Sequence, residues 1–517
     1  MAAKKMQYVM LPSEGTEVDK ENAHQAKFFQ ALHMVSSSGG KSHSLSTEAG
    51  KVDITVLDSI GQDKAKLVEI SPDELAAFRS VHPSVRMMPL VYYTPAVQRY
   101  GVEAPAVVRK PQSAAKKASA KPGKKAAGAA AAAGGITVTV TSAADGSVVA
   151  GAMVVAFTDF EKRVGAQGTT NAKGQVTLAL GAASKSVERV YVYPKLGFWP
   201  ALETRVTLKT GTRLALRAID TAYVDCVRHF YGSVAPNQGK GLTVAVIDCG
   251  VALDHPDLTV SGGQNTVKGE KPADFGDNGS DGHGTHVAGI IAAHGTAPAG
   301  IRGVAPAVTL RSYRVFGKKA DGASNFAIAK AIDAAVADKC DLLNMSLGGP
   351  DQDTVTAEAI VAAYKAGVLV FAATGNDERK PVSYPAADDM CQAVSAMGRK
   401  GTFPPRSEPA GSVAAPYGKD KKNFMADFSN IGSDTDLVGP GVGVISTVPS
   451  GYGVMSGTSM ATPAEVGAAA RLLSTMPAVL GMQRDQQRSA AMLAAIAKAC
   501  KPLGFGANFE GKGMITP

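Results

Sequence analysis

Three side chains in the C-terminal half of the chain have the types needed for nucleophilic catalysis. Asp248 ends the apolar run "LTVAVID", His283 lies in "DGHGTHVAG", and Ser459 lies in "VMSGTSMATP". A serine hydroxyl is a weak nucleophile until a base takes its proton, and an imidazole base needs a carboxylate that fixes its tautomer. These three side chains together therefore indicate acyl transfer through a serine, although an isolated Asp in such a place is more often a turn or helix-cap residue.

The stretch "DGHGTHVAG" also allows a second interpretation, a metal site, because His283 and His286 lie three residues apart after Asp281. Two histidines at this spacing do not make a zinc site by themselves, and no nearby third ligand carries a supporting pattern. We therefore predict no metal in the site. In a site without a metal ion, we interpret His286 as structural and Asp281 as a loop or cap residue.

The elements that position these side chains follow from the pattern after residue 220. The buried-strand runs "LTVAVID", "CDLLNMSL" and "GVLVFAATGN" alternate with the helical stretches "NFAIAKAIDAAVADK" and "DTVTAEAIVAAYKAG". This alternation predicts an α/β domain with a parallel sheet, whose ligands lie at the carboxyl ends of the strands. Ser459 would lie near a helix N-terminus, where backbone N–H groups favour developing negative charge. Pro463 would then have to lie in the first turn.

The motifs of residues 220–517 resemble those of the subtilisin family. The segments "VIDCGV", "HPDL", "DGHGTHVAG", "GVAP", "NMSLGG", "AATGN", "YPA", "DFSNIG", "VGPG" and "SGTSMATP" follow the family's order, and so does the succession Asp, His, Ser. The resemblance implies a serine endopeptidase that works through an acyl-enzyme. It makes Asp248 the orienting carboxylate, His283 the general base and Ser459 the nucleophile.

The same resemblance implies the groups that would hold a polypeptide substrate. Asn376 in "AATGN" would donate its amide to the oxyanion, together with the backbone N–H of the nucleophile. A strand that pairs with the substrate backbone would be formed by Ser346, Leu347 and Gly348. Ser383 in "VSYPA" would shape the pocket for the residue before the cut and leave it without a fixed charge.

The chain departs from the family at three places. Cys249 follows the predicted orienting acid where the family has Thr or Ser, and we interpret it as a small packing residue, with a reactive thiol as the alternative. Residues 464–467, "AEVG", replace His-Val-Ala-Gly, which bears on the packing of that helix. Asp257 matches a calcium ligand of the family, but "HGTAPAGIRGVAP" lacks the Asn-containing calcium loop. We expect no cofactor for the chemistry, and a structural calcium ion is an unsupported alternative.

The residues before 219 divide by composition into four parts: 1–50, 51–100, 101–135 and 136–218. The first is polar, and the third is rich in Ala and Lys. Closely spaced strand patterns in 136–218 predict an all-β sandwich, which resembles transthyretin-like or carboxypeptidase-regulatory-like modules. The subtilisin-like catalytic domain then spans 219–517.

Residues 51–100 carry the pattern of a small α+β unit. "KVDITVL" alternates like a strand, and Ser71, Pro72 and Glu74 predict a capped helix start. This pattern resembles the inhibitory propeptides of subtilisins, which are ferredoxin-like units. The resemblance implies that the protein is a self-processing zymogen inhibited by its own N-terminal domain, and we predict self-cleavage within residues 91–135.

The net charge of +9 is uneven along the chain. From Asp220 onward there are 26 Lys and Arg against 28 Asp and Glu, so this part carries −2 and the preceding part +11. Much of the excess lies between Glu103 and Asp145, where there is no acid. Because no aromatic residues interleave these lysines, we interpret the segment as a tether and predict neither nucleic acid nor membrane as a partner.

The compartment stays open at this point. The first 21 residues lack the apolar stretch of a standard secretory signal, and the five cysteines show no C-x-x-C pattern. We therefore expect a cytoplasmic or unconventionally exported protein. Two alternatives to an endopeptidase are a peptide ligase or cyclase with the same triad, and an inactive protease fold that only binds.

Overall fold

The computed structural model describes residues 5–13, 23–37, 42–47, 50–106, 134–232, 234–279, 282–318, 322–349 and 351–517. Asp281 and residues 107–133 of the Ala/Lys-rich segment lie outside these ranges. The N-terminal unit comprises β1 (Met6–Leu11), α1 (Ala23–Ser37), β2 (Ser42–Thr47), β3 (Gly50–Ser59), β4 (Lys66–Ile70), α2 (Pro72–Val81), β5 (Arg86–Pro89) and β6 (Tyr92–Pro95).

The N-terminal unit includes β1 as an inner strand of its sheet. The antiparallel sheet has the order β2-β3-β4-β1-β5, and without the edge strand β2 this is the order of a ferredoxin-like unit. In the register, Val9 of β1 lies opposite Leu67 of β4 and Met88 of β5. The predicted boundary at residue 51 is therefore wrong, and the unit begins at Met6. Composition hid β1, because this short strand is surrounded by polar residues and its partners lie far along the chain.

Helix α2 begins as its sequence predicts. The Ser71 side chain accepts a hydrogen bond from the Glu74 N–H, the Glu74 carboxylate accepts one from the Ser71 N–H, and Pro72 is the first helical residue. The capping box satisfies two backbone donors that a helix start otherwise leaves unpaired. The helix packs Leu75 and Phe78 into the core of the unit.

The second unit is a β-sandwich. Its strands are β7 (Ala104–Pro105), β8 (Ile136–Ser142), β9 (Met153–Asp159), β10 (Val164–Thr169), β11 (Gln175–Leu178), β12 (Ser184–Tyr193), β13 (Ala201–Lys209) and β14 (Arg213–Leu216). The two sheets have the orders β13-β12-β9-β10-β7 and β11-β8-β14. The sandwich prediction is thus confirmed, but β7 lies inside the predicted linker 101–135. Residues 104–105 therefore belong to the sandwich rather than to a tether.

The third unit is the catalytic domain. Its first half comprises α3 (Cys226–Tyr231), β15 (Thr243–Asp248), β16 (Val260–Asn265), α4 (His283–Ala292), β17 (Thr309–Arg314), β18 (Ala323–Ser324), α5 (Asn325–Ala337), β19 (Leu342–Met345), β20 (Leu347–Gly348), α6 (Thr354–Lys365) and β21 (Leu369–Ala373). Its second half comprises β22 (Cys391–Arg399), β23 (Val413–Tyr417), β24 (Asn423–Ala426), β25 (Leu437–Pro440), β26 (Val444–Val448), β27 (Gly451–Met455), α7 (Thr458–Leu473), α8 (Pro477–Leu480), α9 (Gln486–Ala499), β28 (Cys500–Lys501), α10 (Ala507–Glu510) and β29 (Met514–Ile515).

The predicted parallel sheet with crossover helices is confirmed. Its order is β16-β17-β15-β19-β21-β22-β24-β23, with β25 also paired to β22, and the pairs from β16 to β22 are parallel. Val244 and Val246 of β15 face the core that contains α4 and α7. Ala245 and Ile247 face the core that contains α5 and α6. Helices on both faces explain why the strands read as continuous apolar runs.

Both N-terminal units dock on the catalytic domain. The first unit packs on α5 and α6, where Val9 and Leu11 join their core and Lys330 pairs with Asp58 at 2.7 Å. The sandwich is joined to the catalytic domain through backbone hydrogen bonds, such as that from the Leu202 N–H to the Arg406 carbonyl. In the part of the chain that the structure describes, no helix is both long and apolar enough to span a bilayer.

Candidate active site

Two of the predicted catalytic residues, Asp248 and His283, meet at the buried end of β15. Both oxygens of the Asp248 carboxylate lie within hydrogen-bond distance of His283 Nδ1, at 2.9 and 3.0 Å, and both side chains are fully buried. The backbone N–H of Cys249 also donates to Asp248 Oδ1 at 2.7 Å. His283 is the first residue of α4, which follows Gly282 in the left-handed conformation. A buried carboxylate on Nδ1 orients the imidazole and leaves Nε2 for proton transfer.

Ser459 lies in the first turn of α7, which packs against α4. Its hydroxyl donates to the carbonyl of Ser346 at 3.0 Å, and the Ser346 hydroxyl donates to the Ser459 carbonyl at 2.9 Å. Pro463 lies inside the helix rather than in its first turn, so that expectation is wrong. Proline has no N–H to offer the carbonyl four residues earlier, and the Ser346 hydroxyl satisfies that carbonyl instead.

A carbonyl of the chain itself lies between two donors at the start of α7. The Ala96 carbonyl accepts a hydrogen bond from the Ser459 N–H at 3.2 Å and from Asn376 Nδ2 at 2.5 Å. The Asn376 amide is oriented because its oxygen accepts bonds from the N–H and hydroxyl of Thr458, at 2.9 and 3.0 Å. Two fixed donors on one carbonyl oxygen form the arrangement that stabilises a developing oxyanion.

The residues before Ala96 form the extended strand β6, which lies in a cleft between β18 and β20. β6 pairs antiparallel with β20, with Leu347 opposite Pro95 and Gly348 opposite Thr94. It also pairs antiparallel with β18 on its other side. The Ala96 N–H donates to the carbonyl of Ser346 at 3.1 Å. The structure thus brings the predicted strand of Ser346, Leu347 and Gly348 into contact with a polypeptide backbone.

The chain continues past Ala96 over the turn before α7. The Gln98 N–H donates to the carbonyl of Ser456 at 2.9 Å. A Cβ atom at Gly457, whose φ is 152°, would lie 2.8 Å from the Ala96 carbonyl oxygen. Glycine at 457 therefore leaves room for a backbone that crosses the site, because any larger residue would meet that backbone.

Ser383 lies beside the cleft, in a space of about 870 Å³ that is also lined by Gly348 and Asn376. Its hydroxyl donates to the carbonyl of Thr374 at 3.0 Å, so the backbone already uses this donor. Glu378 lines the same space and pairs with Arg163 of the sandwich at 2.6 Å. The sandwich therefore contributes a charged group to the rim of the cleft.

Comparison with known proteins identifies the family. Residues 239–510, slightly more than half of the chain, match the model described as "Subtilase family". The chain belongs to the subtilase family. The match includes the β15, α4 and α7 positions described above, whereas the N-terminal unit and the sandwich precede it.

Several bacterial subtilisins are similar to this subtilase. Subtilisin DY from Bacillus licheniformis is 37% identical over 251 residues, which cover 48% of this chain and 81% of that protein. Subtilisin from Bacillus pumilus is 38% identical over 286 residues, which cover 54% of this chain and 90% of that protein. Subtilisin BL from Lederbergia lenta is 38% identical over 246 residues, covering 47% and 81% respectively. This subtilase is therefore a serine endopeptidase, a hydrolase whose substrates are polypeptides.

The structure of this subtilase brings into the site three residues that sequence reasoning missed. Thr458 orients Asn376, and the Ser456 carbonyl binds the backbone after β6. Ala96 supplies the carbonyl that lies between the Ser459 N–H and the Asn376 amide. The first two lie inside the motif "SGTSMATP", which could have drawn attention to them. Ala96 carries no functional group, so only its position in space reveals it.

The histidine and cysteine beside the site are fixed by packing. His286 is buried, and its Nε2 lies 3.1 Å from the carbonyl of Val444. Cys249 is buried as well, and its sulfur accepts a hydrogen bond from the Gly284 N–H at 3.1 Å. Both side chains thus brace the start of α4 in this subtilase.

Glu465 lies in residues 464–467, where the sequence of this subtilase departs from the family's motif. The side chain is fully buried, and its carboxylate accepts bonds from the Tyr231 hydroxyl and from the Ile515 N–H, the latter at 2.9 Å. Burial raises the pKa of Glu465 to about 8 from its usual 4.5, although both bonds favour the charged form. The carboxyl thus links α7 to α3 and to β29 at the C-terminus.

This burial predicts a pH-dependent stability. Between pH 4.5 and 8 the folded protein binds more protons at Glu465 than the unfolded chain does, so the free energy of unfolding falls as the pH rises. The fall amounts to at most about 1.4 kcal/mol per pH unit. Glu465→Gln, which stays neutral, is expected to flatten this slope in urea unfolding between pH 5 and 8.

The unfolding measurements require the Ser459→Ala background, which avoids self-digestion. Part of the slope remains in Glu465→Gln, because burial also raises the pKa of Glu408 to about 8. The exposed Glu161→Gln serves as the matched control and keeps the parent slope. An unchanged slope in Glu465→Gln would contradict the raised pKa of Glu465 as the cause of this pH dependence.

Proposed function

We propose that the protein is a self-processing zymogen whose serine endopeptidase activity depends on Asp248, His283 and Ser459. In this mechanism His283 takes the proton of the Ser459 hydroxyl as the oxygen attacks a peptide carbonyl. Asp248 holds the imidazole and stabilises its charged form. The imidazole gives this proton to the amine that leaves as the peptide C–N bond breaks. The acyl-enzyme that results is then hydrolysed, with the imidazole taking a proton from the attacking water and returning it to Ser459.

The Ala96 carbonyl between the Ser459 N–H and the Asn376 amide is the observation that carries this proposal. A peptide carbonyl held by two donors beside a serine hydroxyl is the geometry from which acyl transfer starts. The bond to be cut is then Ala96–Val97. This narrows the predicted range of residues 91–135 to one peptide bond.

The N-terminal unit acts as the inhibitor in this proposal. β6 occupies the cleft between β18 and β20, so no second polypeptide can pair with these strands while it is there. The unit is held outside the cleft as well, through Val9 and Leu11 in the core of α5 and α6. Cutting after Ala96 leaves these contacts in place, so inhibition outlasts the cut until the N-terminal fragment leaves.

We further propose that Asp257 is held by protein donors rather than by calcium. Its carboxylate accepts hydrogen bonds from the Ile301 N–H at 2.8 Å and from the Tyr452 hydroxyl at 2.9 Å. Ca²⁺ requires six to eight oxygen ligands, and donors that point at the carboxylate oppose a cation there. Within the described residues, no three His, Cys, Asp or Glu side chains are grouped to hold a metal ion.

The proposal is tested by labelling the protein with a fluorophosphonate and digesting a denatured protein substrate. We expect the label on Ser459 by peptide mapping, and we expect new peptide ends in the substrate. Ser459→Ala should show neither. Labelling of Ser459 without new peptide ends would overturn the endopeptidase activity but keep the triad. Absence of both in the processed wild type would overturn the proposal and favour the inactive binding module.

A further inference from the structure

The chain on the C-terminal side of the proposed scissile bond is held firmly. Gln98 is fixed to the catalytic domain by the bond from its N–H to the Ser456 carbonyl. Two residues later, the Tyr100 N–H donates to the hydroxyl of Tyr193 in the sandwich at 3.2 Å. The Tyr100 ring is 8% exposed and packs edge-on against Phe160, with ring centroids 5.0 Å apart. An aromatic anchor thus lies three residues after Val97.

The sandwich holds the next residues as part of its own sheet. The Val102 N–H donates to Gln167 Oε1 at 2.8 Å, and the Glu103 N–H donates to the Arg163 carbonyl at 3.0 Å. β7 then pairs in parallel with β10 as an edge strand. The Arg163 guanidinium lies 4.7 Å from the centre of the Tyr100 ring.

The sandwich is itself fixed to the catalytic domain. The Leu202 N–H donates to the Arg406 carbonyl at 3.0 Å, and the Glu408 N–H donates to the Pro200 carbonyl at 2.8 Å. None of these described contacts involves residues 5–96. Cutting after Ala96 therefore breaks none of the interactions that hold the segment from Gln98 to β7.

We propose that the sandwich keeps the new α-amine of Val97 beside Ser459 after processing, where it accepts acyl groups. The protein would then ligate a suitable peptide ester to its own N-terminus, an activity that rests on the proposed triad. The ester C–O bond breaks as the Ser459 oxygen acylates, and the alcohol leaves with the proton from His283. The Val97 amine then attacks the acyl-enzyme and gives its extra proton to His283. An amide bond forms, and Ser459 regains its hydroxyl.

Tethering decides whether the amine competes with water. Groups held in a reactive orientation reach effective concentrations far above any free amine, up to about 10⁵–10⁸ M in the best intramolecular cases. Only the neutral amine attacks the acyl-enzyme. The pKa of an α-amine in model peptides is about 7.7–8.0. The ratio of ligation to hydrolysis is therefore expected to rise between pH 7 and 9.

The substrate class follows from the strand that already occupies the cleft. Tyr93, Thr94, Pro95 and Ala96 lie against β18 and β20, so an ester of the peptide Tyr-Thr-Pro-Ala presents the same acyl group. The self-processed protein, separated from its N-terminal fragment, is incubated with Tyr-Thr-Pro-Ala benzyl ester. Intact-mass spectrometry is expected to show the added tetrapeptide, and N-terminal sequencing should place it before Val97.

Variants that loosen the segment after Val97 test the role of the sandwich. Tyr100→Ala, and separately the exposed Gln167→Ala, should lower the ratio of ligation to hydrolysis by about tenfold or more, because a released segment loses effective concentration. The half-exposed Tyr417→Ala, far along the chain in β23, should keep the wild-type ratio. Ester hydrolysis at a normal rate in each variant shows that the site remains folded.

The possible failures are distinguishable. Ester hydrolysis by the processed wild type without added mass would overturn the inference and leave the endopeptidase proposal intact. An equal ratio in Tyr100→Ala and wild type would overturn the role of the sandwich. Neither hydrolysis nor added mass would overturn the proposed triad as well.

Discussion

Ser459→Ala is expected to leave the chain uncut, whereas the wild type yields a new N-terminus at Val97. Loss of the hydroxyl removes the only atom that the mechanism uses to form the acyl-enzyme, while the donors around the Ala96 carbonyl remain. N-terminal sequencing and intact mass of the two purified proteins measure this directly. Ser474→Ala, the same change at the far end of α7, is the matched control and should process like the wild type.

Two outcomes would contradict the Ser459 prediction. A Ser459→Ala protein that is cut at the same bond on its own would exclude self-processing through this serine. A wild type cut elsewhere would exclude Ala96–Val97 as the bond. Mixing Ser459→Ala with processed wild type separates cutting within one molecule from cutting between molecules, because the variant is cut only in the second case.

Asp248→Asn is expected to reduce kcat by about 10⁴, with little change in KM, because an amide at this position stabilises the wrong imidazole tautomer. The carboxylate lies 2.9 and 3.0 Å from His283 Nδ1 with no exposure to solvent, so water cannot replace it. The measurement is hydrolysis of a short Pro-Ala p-nitroanilide by the processed variant. Where the variant does not process itself, tagged wild type is added to cut it and is removed before the assay.

The control for Asp248→Asn is Asp254→Asn, an exposed acid six positions further along. It should keep the wild-type kcat. A loss of less than about tenfold in Asp248→Asn would mean that a different group orients the imidazole, since tautomer control accounts for most of the expected effect. Circular dichroism of both variants checks that the fold is retained.

The sequence allowed the catalytic domain to be predicted because its strands are buried on both faces. Such strands are continuous apolar runs, and "LTVAVID" marks β15 and its terminal Asp248 without any long-range information. The capping residues of α2 are equally local, since Ser71 and Glu74 bond to each other's backbone. Patterns of this kind depend only on neighbours in sequence.

What stayed hidden depends on partners that are distant in sequence. β1 is short and bounded by polar residues, yet it is an inner strand of its sheet, between β4 and β5. β7 is two residues of an Ala- and Pro-rich stretch, and only its pairing with β10 makes it a strand. Ala96 has no functional side chain, so its place between Ser459 and Asn376 could not be predicted from its type.

The position of β7 ahead of the Ala/Lys-rich segment has a consequence for how the protein behaves in purification. A protease that cuts within residues 107–133 after processing would leave a separate short peptide that begins at Val97 and includes residues 97–106. Its hydrogen bonds to Tyr193 and Gln167 and the pairing with β10 would still hold it. The particle would then keep its size on a gel-filtration column, while a denaturing gel or a mass spectrum would reveal more than one chain.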